Sequence, residues 1–229
     1  MAFNDKYDPQ TLNDLVIDPN NKRVLEMMVA GNTHDHLLLE GTNGTAKSTI
    51  AELLPRLKHG DDHQIENVRC FEGLVIDQKI LDSWLNFYGW CRANRDAAYI
   101  IIDEIDTLDK NLSLFWQWLD QRRDYITVIG TTNKLMAVPK AMRSRMRCLT
   151  FRAVKAIDML PRAKFIMKSE GIAIDDDHLL AELSAIESTG DIRKYLQRLE
   201  LLAHGIRSGS IATQTQANGI RQSSIRRVK

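Results

Sequence analysis

The sequence predicts an α/β fold in which a parallel sheet is covered by helices and followed by a small all-helical domain. Up to residue 151, unbroken apolar runs of strand length alternate with helical patterns, as is typical of parallel strands buried on both faces. Beyond residue 151 the chain contains three amphipathic helical segments and no further strand-like run. Ligands of such sheets bind at the carboxyl ends of the strands, so functional residues are expected there.

The individual elements follow from these apolar patterns. Strands are predicted at residues 37–40, 68–71, 99–103, 126–131 and 149–151. Helices of the α/β part are predicted at 24–30, 48–57, 80–92 and 112–122. The later helices are predicted at 157–169, 177–188 and 192–206. Three aspartates at 175–177 suit the N-cap of the second of these helices better than they suit a metal site.

The change of pattern predicts three segments. Residues 1–153 are expected to form the α/β domain, and residues 154–207 a three-helix domain. Residues 208–229 are expected to be a basic, disordered tail. This tail is rich in Ser, Thr, Gln and Gly, so it has few large apolar groups to offset the entropy lost on ordering.

Composition excludes several classes of protein. The net charge is +1, so bulk charge indicates no particular partner. The polar N-terminal segment is no signal peptide, and the longest apolar run, at 97–102, is too short to cross a bilayer. Three widely spaced cysteines fit a reducing compartment. We therefore expect a cytoplasmic protein with no membrane partner.

The segment LLLEGTNGTAKSTIAELL, residues 37–54, reads as a strand, a small-residue loop and a helix. It matches the phosphate-binding loop pattern of Gly, four residues, Gly, Lys and Ser or Thr, except that alanine stands at the second glycine position. In that geometry, backbone N–H groups and a helix N-terminus face an anion. The segment predicts a P-loop NTPase fold that binds ATP and Mg²⁺. The predicted binding residues are Gly41, Thr42, Asn43, Gly44, Thr45, Ala46, Lys47, Ser48 and Thr49.

Two of these residues have specific expected roles, and one departs from the pattern. Lys47 is expected to reach the β- and γ-phosphates, and the Ser48 hydroxyl to bind Mg²⁺. Ala46 has two open interpretations. If its position needs a positive φ, alanine costs about 1–2 kcal/mol, whereas otherwise its methyl group is harmless. Because alanine keeps its backbone N–H, we expect an active but slow site.

A second element is the apolar run AYIII followed by DEID. It places Asp103 and Glu104 at the carboxyl end of a buried strand, beside the phosphate loop. Asp103 is expected to join Ser48 in the Mg²⁺ shell, and Glu104 to polarise the attacking water. The alternative is a strand that runs into a solvated acidic turn.

Two further side chains are candidates for the same chemistry. Asn133 follows the apolar run ITVIG, where its amide is expected beside the γ-phosphate, although asparagine is also common in ordinary turns. Arg145 lies in the basic segment KAMRSRMR. It is either part of a solvated turn or an arginine finger for the nucleotide of a neighbouring subunit.

Together these motifs resemble the AAA+ ATPases, and within them the clamp-loader subunits of replication factor C type, including their phage versions. KYDPQTLNDLVI resembles that family's adenine-pocket segment, with Tyr7, Pro9, Val16 and Ile17 as lining residues. DEID resembles its DExD box, and RSRM resembles its Ser-Arg-Cys motif with methionine in place of cysteine. TGDIRKYLQRLELL resembles its lid helix, in which Arg193 matches the sensor-two arginine that touches the γ-phosphate.

The resemblance covers residues 3 to about 205, and the helical collar domain of those subunits has no counterpart in it. It implies ATP hydrolysis at the interfaces of a homo- or hetero-oligomer of AAA+ subunits, with DNA and a sliding clamp as partners in replication. Two alternatives stay open. One is an AAA+ loader or remodeller that acts on a protein partner, and the other is a nucleotide-binding assembly module that does not hydrolyse ATP.

Overall fold

The computed structural model describes residues 2–31, 35–70, 74–108, 113–122 and 125–210. These residues divide into two compact units. Residues 9–152 form an α/β unit, and residues 2–8 together with 153–210 form a helical unit. The predicted disordered tail lies, from residue 211 onward, outside the described residues, as do the predicted strand residue Phe71 and helix residue Leu112.

The α/β unit contains one five-stranded sheet in which every pairing is parallel. Its strands are β1 (His36–Gly41), β2 (His63–Arg69), β3 (Ala97–Asp103), β4 (Ile126–Thr132) and β5 (Met146–Phe151). Their order across the sheet is β2-β3-β4-β1-β5. The helices of this unit are α2 (Pro19–Val29), α3 (Lys47–His59), α4 (Gln78–Asn94), α5 (Ser113–Arg122) and α6 (Lys140–Arg143). The predicted fold class is confirmed.

Both faces of the sheet are covered, which explains why its strands read as unbroken apolar runs. Along β1, Leu38 packs into the cluster that contains Trp84 and Phe115. Its neighbours Leu37 and Leu39 pack into the opposite cluster, under α2 and α3. All three leucines are fully buried, because successive side chains of a strand point to opposite faces and both faces are dry here.

The strand that carries the acidic pair is not adjacent to the strand that leads into the phosphate loop, because β4 lies between β3 and β1. The carboxyl end of β4 therefore stands between the acidic pair and the loop. Side chains at the end of β4 can contact both, which gives the residues around Thr131 a position that sequence order alone does not reveal.

Among the element boundaries, the starts of β2 and α2 differ most from the predicted ones. Strand β2 begins at His63, five residues before the predicted start. The apolar pattern missed this first part because it is largely polar. As an edge strand it pairs only with β3, so it needs no continuous apolar run. Helix α2 begins at Pro19, and the Asp18 side chain caps it by accepting a hydrogen bond from the Asn20 N–H. Proline suits this first helical position because its missing N–H would have no helical partner.

The helical unit consists of α1 (Phe3–Lys6), α7 (Ala156–Ser169), α8 (Asp176–Ser184) and α9 (Ile192–Arg207). Asp175 caps α8 by accepting a hydrogen bond from the His178 N–H at 2.9 Å, as expected for the aspartate run. The unit is held by apolar side chains from its three longer helices, such as Met159, Leu179 and Leu199, which are fully buried.

A buried carboxylate joins the first and last helices of this unit. The Glu170 side chain, at the end of α7, is only 4% exposed. It accepts hydrogen bonds from Lys6 Nζ at 2.6 Å, from the Tyr7 hydroxyl and from Arg207 Nη2. These bonds, led by that from Lys6, lower the pKa of Glu170 from 4.5 to about 2. Burial, followed by the bond to Glu170, raises the pKa of Tyr7 to about 12.

None of the described helices combines the length and the apolar character needed to cross a lipid bilayer.

Candidate active site

The phosphate loop leaves β1 at Gly41, which lies tightly against β5. Gly41 pairs with Phe151 in the β1–β5 register. A Cβ atom at Gly41 would lie 2.3 Å from the Phe151 carbonyl oxygen, well inside any permitted contact. Glycine is therefore required here because two backbones approach closely, and the close approach sets the direction in which the loop begins.

The loop ends at Ala46, which has φ 65° and ψ 19° and directly precedes α3. This is the left-handed region, so of the two interpretations of Ala46 the strained one applies. The cost of that conformation for a residue with a Cβ atom is about 1–2 kcal/mol. Strain of this size persists at functional sites when the surrounding structure holds the residue in place.

Lys47 is buried at the start of α3, with a relative exposure of 8%. Its ammonium group donates to the carbonyl oxygens of Gly41 at 2.8 Å and Thr42 at 2.9 Å. It also donates to Asn133 Oδ1 at 2.9 Å. An ammonium group has three N–H donors and no acceptor, so three oxygen partners compensate its burial. The sequence-predicted pair of Lys47 and Asn133 is thus in direct contact.

A chain of oxygen atoms connects the loop to the acidic pair. Ser48 Oγ lies 3.3 Å from Asp103 Oδ1. The Thr131 hydroxyl, on the intervening strand β4, donates to the same carboxylate oxygen at 2.9 Å and accepts the Glu104 N–H at 3.2 Å. Thr131 was not predicted as a site residue, although its position at the end of an apolar run is a usable signal.

The oxygen atoms of Ser48 and Asp103 fit a magnesium ion. Mg²⁺ binds oxygen ligands octahedrally at about 2.1 Å, so two adjacent ligands lie about 3 Å apart. The separation of 3.3 Å between Ser48 Oγ and Asp103 Oδ1 is close to that spacing. A hydroxyl and a carboxylate are also the hard donors that Mg²⁺ prefers, together with phosphate oxygens and waters.

The electrostatic field at the end of β3 is negative. Burial first, and then the charges of Asp103, Glu104 and Asp106, raise the pKa of the Cys70 thiol to about 12. This shift means that three carboxylates act together on one half-buried group. Such a field attracts a cation and, together with burial, keeps the thiol protonated well above neutral pH.

Glu104 directly follows β3 and has a left-handed backbone with φ 56°. Its carbonyl oxygen accepts the Thr107 hydroxyl at 2.8 Å, and its side chain is exposed. The unusual backbone turns the chain sharply at the end of the strand, so that Asp103 and Glu104 can serve different partners.

A second threonine fixes the turn that carries Asn133. The Thr132 hydroxyl donates to Asp106 Oδ1 at 2.7 Å and accepts the Lys134 N–H at 2.9 Å. Asp106 therefore holds Thr132, and Thr132 in turn holds Lys134 on the other side of Asn133. No role was predicted for Asp106, since its contact with Thr132 spans 26 residues and has no local signature.

Arg145 lies at the amino end of β5, whereas these groups lie at the carboxyl ends of the strands. It directly precedes β5, whereas the phosphate loop follows β1, and the two strands run parallel. A strand of six residues spans roughly 20 Å. Within one chain Arg145 is therefore too far from Lys47 to share its ligand. Bonding to Asp120 is the main cause that raises the pKa of the Arg145 guanidinium.

The remaining predicted site residues are divided between the two units. Pro9, Val16 and Ile17 are half-buried in the α/β unit. Tyr7 belongs to the helical unit, as does Arg193, which lies in the first turn of α9 and pairs with Asp191 at 3.1 Å. The roles assigned to these residues, in the adenine pocket and at the γ-phosphate, stay predictions.

Residues 37–154 match the family model described as "ATPase family associated with various cellular activities (AAA)". The chain belongs to the AAA family of ATPases. The matched range is just over half of the chain, and it contains the phosphate loop, the acidic pair, Asn133 and Arg145. The AAA prediction made from the motifs is confirmed.

Curated relatives of this AAA chain are replication factor C subunits. The small subunit of Natronomonas pharaonis is 28% identical over 204 residues, covering 87% of this chain and 61% of the relative. Subunit 3 of Oryza sativa subsp. japonica is 26% identical over 206 residues, covering 86% of this chain and 55% of the relative. The chain therefore spans less than two thirds of the length of these relatives, and its resemblance to clamp-loader subunits is supported over most of its own length.

The AAA fold is also found in distant solved structures. A RuvB mutant from Thermotoga maritima has a TM-score of 0.66 at 16% identity, covering 90% of this chain and 68% of that chain. At this identity the likeness shows the fold alone. It covers both the parallel sheet and the helical C-terminal part.

Proposed function

We propose that this chain is an ATP hydrolase that works as a subunit of an oligomer and acts, like a clamp loader, in DNA replication. The observation that carries the proposal is the convergence of four side chains from three strand ends. Lys47 contacts Asn133, and Ser48 lies 3.3 Å from Asp103. These are the groups that phosphoryl transfer needs, namely a phosphate-binding cation, metal ligands and a polar group to orient water.

The binding roles follow from the loop. Loop amides and the start of α3 hold the phosphates, because unpaired N–H groups and the helix dipole favour an anion there. Lys47 exchanges part of its present set of oxygen partners for phosphate oxygens. Pro9, Val16 and Ile17, with Tyr7, are the proposed adenine contacts, and Arg193 the proposed γ-phosphate contact from the helical unit.

The chemical roles follow from the strand ends. Ser48 and Asp103 would hold Mg²⁺, which supplies charge neutralisation at the phosphates when bound. Glu104 accepts a proton from the attacking water, and its position one residue beyond the metal ligand separates the two tasks. Asn133 orients that water, with its turn held by Thr132 and Asp106.

Arg145 completes the site of a neighbouring subunit. It lies at the amino end of β5, about 20 Å from the phosphate loop of its own chain. It can therefore act only on the nucleotide of another subunit. An arginine supplied in this way is worth roughly 10³–10⁵ in rate. Hydrolysis then requires assembly, which couples the ATPase cycle to the state of the oligomer.

The role in replication rests on the relatives. Replication factor C subunits are similar over about 87% of this chain. DNA is the proposed partner, with a sliding clamp as a second one. Helix α4 offers cationic groups for DNA binding, because its Lys79 and Arg92 are exposed. Lysine and arginine at such a surface provide salt-sensitive contacts to phosphates.

Steady-state phosphate release tests the ATPase proposal. We expect Glu104→Gln to keep ATP binding and to lose turnover by at least about a hundredfold, because the amide cannot accept the proton. Glu52→Gln, a change at an exposed glutamate on α3, is the matched control and should keep the wild-type rate. Equal rates for Glu104→Gln and the wild type would reject Glu104 as the activating group.

The same assay separates the proposal from its alternatives. Release stimulated by primed DNA, and further by a sliding clamp, supports a clamp-loader-like motor. Release that is indifferent to DNA favours a remodeller of a protein partner. Binding of ATP without any release favours an assembly module, for which strain at Ala46 is the one structural argument.

A further inference from the structure

A groove at the amino ends of β1 and β5 holds the guanidinium group of Arg145. The groove has a volume of about 440 Å³, and its walls come from β1, α5 and the start of β5. The Arg145 side chain is 33% exposed. A long surface side chain is usually free to adopt many rotamers, but this one is held by three groups of its own unit.

Asp120, in the last turn of α5, provides most of that hold. Its Oδ1 accepts Arg145 Nε–H at 2.8 Å, and its Oδ2 accepts Nη2–H at 2.8 Å. Arg145 Nη1 also donates to the Ala141 carbonyl oxygen at 2.9 Å, and the Trp116 ring centroid lies 5.9 Å from the guanidinium carbon. Two parallel bonds to one carboxylate fix the plane of a guanidinium as well as its position.

These contacts leave part of the guanidinium available. The group has five N–H donors, and the bonds to Asp120 and Ala141 use three of them. Within the part of the chain that the structure describes, one N–H therefore remains on each terminal nitrogen. Those two donors are at the end of the side chain, which is the part that a phosphate of another subunit would meet.

We propose that Asp120 is a positioning residue that orders Arg145 for its action on a neighbouring subunit. This inference rests on the function proposed above, in which Arg145 acts in trans. The physical reason is entropic, since arginine loses considerable rotamer freedom when it binds. Asp120 orders the side chain before the subunits meet, so that less of this cost falls on the catalytic step.

An opposite effect must be weighed, because a carboxylate also offsets the positive charge of Arg145. The Asp120 side chain is 53% exposed, so water and salt screen that charge. The orientation of the side chain depends on the geometry of two short hydrogen bonds, which salt weakens less than it weakens the long-range field. We therefore expect the loss of order to outweigh the gain in net positive charge when Asp120 is replaced.

The test is Asp120→Asn in the assembled protein, with kcat and KM for ATP measured separately. We expect kcat to fall about tenfold with KM unchanged, because Arg145 contributes to the transition state and not to ground-state binding. The rotamer entropy of arginine bounds the loss at roughly thirtyfold. Asp120→Glu, which restores a carboxylate, should recover part of the rate. In a chain that already carries Arg145→Ala, Asp120→Asn should cause no further loss.

Asp35→Asn is the matched control, because Asp35 pairs with Arg147 at 2.7 Å in the same groove and should not affect kcat. A faster or unchanged rate for Asp120→Asn, or a further loss on top of Arg145→Ala, would overturn the positioning role. If Arg145→Ala lowers kcat but Asp120→Asn does not, only this inference fails. If Arg145→Ala itself has no effect, the trans role proposed for Arg145 fails and the inference fails with it.

Discussion

Lys47 Nζ donates a hydrogen bond to Asn133 Oδ1 across 2.9 Å, which joins the phosphate loop after β1 to the turn after β4. The two residues are 86 positions apart in the chain, and the contact exists because β1 and β4 are neighbours in the sheet. The amide oxygen must face the ammonium group, since that group can only donate. The residue proposed to orient water is therefore also one of the groups that hold the phosphate-binding lysine.

Asn133→Ala tests whether this amide serves catalysis or binding. We expect kcat to fall by about a hundredfold, as for loss of a positioned polar group, while the ATP dissociation constant changes less than about threefold. Lys47 keeps the carbonyl oxygens of Gly41 and Thr42, so the fold should lose only about 1 kcal/mol. Single-turnover kinetics measures the rate of hydrolysis, and calorimetry measures the ATP dissociation constant. Asn67→Ala, at an exposed position on β2, is the control. An equal loss in affinity and turnover would make Asn133 a binding group.

Ala46→Gly should stabilise the protein. Glycine removes about 1–2 kcal/mol of left-handed strain, while its extra freedom in the unfolded chain costs about 0.5–1 kcal/mol. The expected net gain is about 0.5–1 kcal/mol in the free energy of unfolding, measured by urea denaturation. The same change at Ala185, the C-cap residue of α8 with φ −61°, has no strain to relieve and should destabilise. A loss of stability for Ala46→Gly would show that the surrounding loop favours alanine.

Gly41→Ala should damage both the fold and the site. The added Cβ atom would lie 2.3 Å from the Phe151 carbonyl oxygen, which belongs to a strand and cannot move aside easily. Overpacking of this kind costs about 1–3 kcal/mol, and the displaced loop should no longer bind ATP in a calorimetric titration. Gly89→Ala is the matched control, because a Cβ atom there meets nothing within 4 Å on helix α4. That change should stabilise the helix by about 1 kcal/mol. Full ATP affinity in Gly41→Ala would contradict the required close approach.

The Glu170 cluster predicts a specific sensitivity to acid. The pKa of Glu170 is about 2 in the folded protein against an ordinary value of 4.5, so the folded state binds this proton less well than the unfolded state. The stabilisation is complete above about pH 4.5 and is lost as the pH falls toward 2. Since Lys6 and Arg207 are about half exposed, we expect a contribution of about 1–2 kcal/mol.

Glu170→Gln should remove this contribution at pH 7 and flatten the dependence of unfolding free energy on pH between 4.5 and 2. Chemical denaturation at several pH values measures both effects. Glu187→Gln, at an exposed position of the same unit, should keep the acid dependence of the wild type. If Glu170→Gln and the wild type lose stability in parallel below pH 4.5, the cluster does not contribute to the pH dependence of the free energy of unfolding.

The sequence by itself determined the class of fold and the phosphate loop. Buried parallel strands must be apolar throughout, and the loop between Gly41 and Lys47 is a local pattern of strand, small residues and helix. Both signals depend only on near neighbours in the chain. For the same reason the polar edge strand β2 was found only in part, because its stability comes from pairing with β3 and not from its own composition.

Only the tertiary structure decided which side chains meet. It placed β4 between the loop and the acidic pair, so that Thr131 bridges Asp103 and Glu104. It also set the left-handed backbone at Ala46 and paired Asp120 with Arg145 across 25 residues. Such contacts depend on strand order and on side chains distant in sequence. Each member is chemically ordinary by itself, and its role follows from its neighbours in space.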